Sequence, residues 1–180
     1  MKYGETYLKC AFGDHCEIMV RRLEEVGYWE QPASKGHHFA VYGGLVMHSA
    51  NVTRLLACLS KEWNVQWSRK ESPFLVGMLH DLVKCLCYVR GADGRIEYRQ
   101  PVYPGHGACS VAVAMQLGID LRPDEIAAIT YHMGPWGVGK EYSQAEFDAG
   151  LRDYGAQIIA VHSADWYAAE VDEKEAGDAD

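Results

Sequence analysis

Hydrophobic positions along this 180-residue chain recur mostly three and four residues apart, the spacing of helices buried on one face. Over residues 5–27, Tyr7, Leu8, Ile18, Met19 and Leu23 stand among charged residues and predict an amphipathic helix. Residues 28–43 carry Pro32, Ser34, Gly36 and Gly43 and predict a loop. A second helix is expected over 44–63, where Leu45, Val52, Leu55, Leu56 and Leu59 form one stripe. Ser72-Pro73 supplies a cap followed by proline at the first helical position. Behind it Phe74, Leu75, Met78, Leu79, Leu82 and Leu86 keep helical spacing. From Cys87 to Arg99 the pattern becomes Tyr-Val-Arg, a Gly-Ala-Asp-Gly turn and Arg-Ile-Glu-Tyr-Arg, a short β-hairpin with Arg90 and Arg99 facing each other. Three more helices are expected near 106–118, 123–133 and 152–171. Arg122-Pro123-Asp124-Glu125 opens the middle one, with acid in its first turn as the helix macrodipole favours. The stretch 134–150, rich in glycine and aromatics, predicts a loop. The expected fold class is all-α, a helical bundle with one short β-hairpin.

Length and composition narrow this further. One domain over 1–171 with a full core suits the length, and an acidic tail over 172–180 reads as a solvated terminus. No apolar run is long enough for a membrane span, and the polar start does not read as a signal peptide, so a cytoplasmic location is expected. The six cysteines form no CxxC pair and read as buried small hydrophobes. The net charge of −8 disfavours long nucleic acid unless a partner supplies the basic surface, but leaves room for a small phosphorylated substrate held by local cations.

The chemistry lies in where histidine and aspartate fall on these helices. His48 shares the stripe of Leu45, Val52 and Leu55, and Asp165 lies near Val161 and Ala168. His106 begins a helix whose inward turns carry Cys109, Ser110 and Val113, and His132 shares a face with Ala128 and Ile129. Four helices thus each send an ionisable group inwards. Burying such groups is expensive unless they are paired, and one bound cation would compensate them together. His80 and Asp81 are adjacent in an expected mid-helix position, and Lys84 lies beside both, three and four residues on. The pair is suited to touch one metal together, or to have the carboxylate bridge two, with Lys84 near a substrate phosphate.

His48, the His80-Asp81 doublet and Asp165, in that order, resemble the H…HD…D signature of the HD superfamily of metal-dependent phosphohydrolases. With His106 and His132 the order is similar to two-metal members of that superfamily, including some phosphodiesterases. The segment Pro32-Ala-Ser…His37-His38…Gly43-Gly44-Leu45…His48 resembles the HD domain of bacterial 3′-to-5′ exoribonucleases. The resemblance implies an HD-domain bundle in which one divalent metal takes His48, His80, Asp81 and Asp165, and a second takes His106 and His132 with Asp81 bridging. The mixed histidine and carboxylate ligands suit Fe, Mn, Zn, Ni or Co. It further implies hydrolysis of a phosphoester in a nucleotide or short oligonucleotide by a metal-activated hydroxide, with Asp81 and Lys84 in catalytic roles. His37, His38 and Trp136 join Lys84 as candidate substrate contacts, Tyr142 is a further candidate either for stacking or for covering the core, and His162 is placed either to orient Asp165 or to cap packing against the first helix. Two other readings stay open: an exonuclease-type domain working with a separate nucleic-acid-binding partner, and a non-catalytic metal- or nucleotide-binding regulator.

Overall fold

The computed structural model describes residues 4–34, 39–90, 96–99 and 105–172. His37, His38, the Gly-Ala-Asp-Gly turn and residues 173–180 of the expected tail lie outside them. The chain is mostly helical with one two-stranded antiparallel hairpin, as the hydrophobic pattern predicts.

The expected helix over 5–27 is broken. Helix α1 (Glu5–Phe12) stops at Gly13, which takes φ +53 and donates its N–H to the Lys9 carbonyl. A 3₁₀ turn follows at Gly13–His15 before α2 (Cys16–Glu25). Leu8 and Leu23 are fully buried on their inward faces. Helix α3 (Gly44–Glu62) starts as predicted, after Gly43 in the left-handed conformation. Gly44 has no room for a side chain, since a Cβ there would lie 2.0 Å from the Phe39 carbonyl oxygen.

The second long helix is also interrupted. Helix α4 (Ser72–Leu79) has proline in its first turn, but Ser72 does not cap it; its hydroxyl donates to Glu125 Oε1 at 2.7 Å. The helix ends before the His-Asp doublet. Residues 80–83 form tight turns in which Leu82 and Lys84 bond to carbonyls three residues back, and a short α5 (Lys84–Cys87) resumes. Strands β1 (Tyr88–Arg90) and β2 (Ile96–Tyr98) pair with Arg90 opposite Ile96 and Tyr88 opposite Tyr98, so Arg90 and Arg99 do not face each other.

Helices α6 (His106–Gln116) and α7 (Pro123–Thr130) follow their predicted starts. The stretch predicted as a loop over 134–150 holds a 3₁₀ turn at Gly134–Gly137 and the first turns of α8 (Gln144–Tyr167). Ser143 caps α8: its hydroxyl accepts the Glu146 N–H, while the Glu146 carboxylate accepts the Ser143 N–H. Tyr154 leaves helical geometry (φ −136°, ψ 29°) and kinks α8 near the start predicted for it, and a π-type turn at Ala168–Asp172 ends the described chain.

Helix α4 lies at the centre, packed against α1, α3, α6 and α7, while α8 crosses α3 and α7. The main core joins Leu8, Leu45, Leu56, Leu79, Ile129 and Val161 from five of these helices. At Gly77 on α4 a Cβ would lie 2.5 Å from Thr53 Oγ1 on α3, so the α3–α4 crossing depends on glycine. Two cysteines depart from expectation: Cys10 and Cys58 are exposed, whereas Cys16, Cys85, Cys87 and Cys109 are buried. The first-turn acids of α7 turn inward instead of facing water. Glu125 is fully buried, paired with Arg69 at 2.7 Å, and accepts the Arg122 N–H. No helix among the described residues is long and apolar enough to cross a membrane.

Candidate metal centre

The interruption after α4 turns His80 and Asp81 towards the ends of neighbouring helices. His48 comes from the first half of α3, His106 opens α6, His132 lies just past the end of α7, and Asp165 lies near the end of α8. The structure brings all six residues together. His48, His80, Asp81 and His132 are at most 3% exposed.

Asp81 is the hub, and its two carboxylate oxygens face different histidines. Oδ1 bonds His106 Nε2 at 2.5 Å and lies 3.7 Å from His132 Nε2. Oδ2 lies 3.6 Å from His48 Nε2 and 3.5 Å from His80 Nε2, and pairs with Lys84 Nζ at 2.5 Å. Asp165 Oδ1 closes the other side of the His48–His80 pair, at 3.0 Å and 3.7 Å. Two overlapping donor groups result, His48–His80–Asp165 and His80–Asp81–His132.

Backbone carbonyls fix two of the rings. His80 Nδ1 donates to Gly77 O at 2.9 Å, and His132 Nδ1 donates to Ile129 O at 2.7 Å. A carbonyl only accepts, so Nδ1 carries the proton in each neutral ring and Nε2 turns its lone pair to the centre. His132 Nε2 is buried without a hydrogen-bond partner. A buried polar atom left in that state is costly, and coordination to a cation would satisfy it. This orphaned atom and the donor set of four imidazoles and two carboxylates fit a divalent transition metal.

The charge balance of the protein groups keeps both carboxylates ionised and His132 neutral, while His80 holds a proton that a metal would have to displace. Burial alone would lower His80, but the Asp81 and Asp165 carboxylates outweigh it and push the imidazolium up to about 10. Burial, reinforced by the charge on His80, brings His132 down to about 4 and leaves it neutral at pH 7. Burial would raise both aspartates, yet Lys84, His80 and His106 around Asp81, and His48 and His80 around Asp165, hold them well below the usual carboxylate range. Carboxylates that stay ionised beside imidazoles are ready ligands. A proton and a metal compete for the same His80 lone pair.

A cavity of about 270 Å³ opens over His48, Asp81, His106, His132 and Asp165, with His80 buried behind them, and is also lined by Lys84, Met133, Trp136, His162 and Trp166. His106 and Asp165 keep 25% and 20% of their side chains exposed, so the centre is reachable from solvent on that side. Trp136 thus lies on the cavity wall, but Tyr142 does not: its hydroxyl donates to Gly134 O at 2.7 Å and its ring packs edge-on against Tyr131. His162 does not touch Asp165 in the manner expected. Its Nδ1 donates to the His132 carbonyl at 2.8 Å and its ring lies 5.0 Å from Trp136, so it positions the His132 segment. Glu141 escaped sequence reasoning; its carboxylate accepts the His106 backbone N–H at 3.0 Å and anchors the start of α6. It belongs to a stretch without periodicity, and no spacing signal points to it. Trp166 was equally hidden, although its place next to Asp165 on the same helix was a cue. Compared with protein-family models, curated proteins and solved structures, the chain matches none.

Proposed function

We propose that this chain is a metal-dependent phosphohydrolase of the HD type, acting on a phosphoester in a nucleotide or short oligonucleotide. The observation that carries the reading is the division of Asp81, one oxygen towards His106 and His132 and the other towards His48 and His80. A carboxylate so divided could contribute to two metals, one that His48, His80 and Asp165 would hold and one that His106 and His132 would hold. When bound, divalent metal there supplies Lewis acidity that activates water and offsets phosphoryl charge.

The chain's own groups do the rest. The carbonyls of Gly77 and Ile129 hold His80 and His132 in the ligating tautomer. Lys84 Nζ, at the cavity wall and on the Asp81 side, offsets charge that develops on a bound phosphate. Trp136 and Met133 line the cavity and would limit water around a bound substrate. The exposed edges of His106 and Asp165 favour an enzyme over a closed, purely structural metal site, which keeps no open position. A small substrate is favoured over long nucleic acid by the net charge of −8.

The deciding test is metal content by mass spectrometry with turnover of bis-p-nitrophenyl phosphate and a nucleotide panel. About two metals per chain, and activity lost in Asp81→Ala, are expected. A chain that stays metal-free after reconstitution and turns over nothing would sink the reading. Metal retained tightly with no turnover would leave the regulator instead.

A further inference from the structure

A second cavity, of about 480 Å³, adjoins the metal-centre cavity and shares Trp136, His162 and Trp166 with it. Its size falls within the roughly 300–1,000 Å³ range of small-molecule sites. Leu55 and Leu59 from α3 and Ala164 from α8 form apolar walls, and Trp63 and Tyr167 stand at the side. Among the described residues no Lys, Arg, Asp or Glu lines it. Trp63, Trp166 and Tyr167 each leave 45–50% of their surface in water, unusual for such large rings.

We infer that this aromatic cleft is the subsite for a flat ring carried by the phosphoester substrate, a nucleobase held by stacking while its phosphate reaches the metal centre. The inference rests on the hydrolase reading and adds where the base is held and the residues that select it. Three features carry it. Trp136, His162 and Trp166 belong to both walls, so the cleft lies directly beside the place where phosphate would bind, and the proposed ligand spans the two. The walls are aromatic and aliphatic, which suits the faces of a planar ring. Polar groups on the lining are few, essentially His162 and Ser163, so the edge of the base is scarcely read. The cleft therefore selects for a ring against ring-free phosphates, and tolerates different bases.

The test is tryptophan fluorescence of the full chain loaded with Mn²⁺, titrated with AMP, CMP, ribose 5-phosphate and adenosine. Saturable quenching by AMP and CMP at similar concentrations is expected, with ribose 5-phosphate binding at least about tenfold more weakly. Trp63→Leu, which keeps apolar bulk but removes the stacking face, is expected to weaken AMP about tenfold and to leave ribose 5-phosphate as it was. Tyr167→Leu gives the same result through a second ring, and circular dichroism of each variant separates lost binding from lost fold. Equal binding of AMP and ribose 5-phosphate would overturn the proposal. So would AMP affinity unchanged in both folded variants, or a dimer in sedimentation that Trp63→Leu disperses without any effect on AMP. Failure of the hydrolase reading looks different: ring-dependent AMP binding would persist in a chain that hydrolyses no phosphoester, and the cleft would stand as a nucleotide site.

Discussion

At the scale of single residues, the centre is governed by which atom of each imidazole holds a proton. His132 is neutral because burial and the neighbouring His80 charge bring it down to about 4, while an unfolded histidine titrates near 6.5. The unfolded chain therefore binds the extra proton between these values, and stability of the chelator-treated protein falls as pH drops from about 6.5 to 4. Asp81 and Asp165 act in the same direction at lower pH, since their carboxyls are depressed in the fold and their contribution vanishes once they are protonated. His80 has the opposite sign: raised to about 10, its contribution is complete below about 6.5 and is lost as pH rises through about 10. Urea midpoints of the chelated protein should accordingly peak near neutrality and fall on both sides. A midpoint flat from pH 4 to 7 would contradict this charge balance. Gly134 offers a second residue-scale prediction. It holds φ +59, and a Cβ there would come 2.6 Å from the His162 ring that supports the His132 carbonyl. Gly134→Ala should weaken metal binding about 10- to 100-fold, as loss of an outer-shell support does, read by competition with a chromogenic chelator.

Between elements, close backbone approaches set the distances among the six clustered side chains. Gly107, next to His106 on α6, lies so near the end of α7 that a Cβ would be 2.2 Å from Ile129 O and 2.4 Å from Thr130 O. Those are the carbonyls just before His132, one of them bonded to its ring. Gly107→Ala must push α6 away from α7, at a cost of about 1–3 kcal/mol for overpacking, and should reduce metal binding at the His106–His132 side as well. Chemical denaturation and metal titration of the same variant check both. Gly77→Ala has the same steric cause at the α3–α4 crossing and acts on the partner carbonyl of His80, so it should destabilise rather than gain the usual helix propensity of alanine.

Over the whole molecule, binding and stability are partly separable. In the polar network at the start of α4, Arg69 and Ser72 donate to the Glu125 carboxylate and Arg69 also donates to Asp120 O, which ties the segment before α4 to the start of α7. Glu125 is fully buried and Arg69 is its cation. Arg69→Ala leaves that carboxylate without its charge partner and should cost about 3–5 kcal/mol in urea unfolding, while metal stoichiometry of the folded fraction stays as in the parent chain. A loss of metal without loss of stability would show that this network acts on the centre rather than on the fold.

The hydrophobic period made the helical class legible, because burial on one face leaves its mark every three or four residues whatever the partner helix is. Adjacent positions also made the hairpin visible, and placed His48, His132 and Asp165 on inward stripes without reference to one another. Where helices break was less legible. Gly13 and the doublet at residues 80–83 interrupt strings of apolar residues that continue at helical spacing, and the Ser143–Glu146 cap was obscured by the glycine and aromatic residues around it. Period reports which residues are buried, whereas a break depends on how the backbone meets its neighbours. Only the tertiary structure decided that Asp81 turns one oxygen to each pair of histidines, that His162 supports His132 instead of Asp165, and that Trp63, Trp136 and Trp166, far apart in sequence, line adjoining cavities. Those relations are distances between separate helices, set by crossings at Gly77 and Gly107, and a linear pattern carries no such distances.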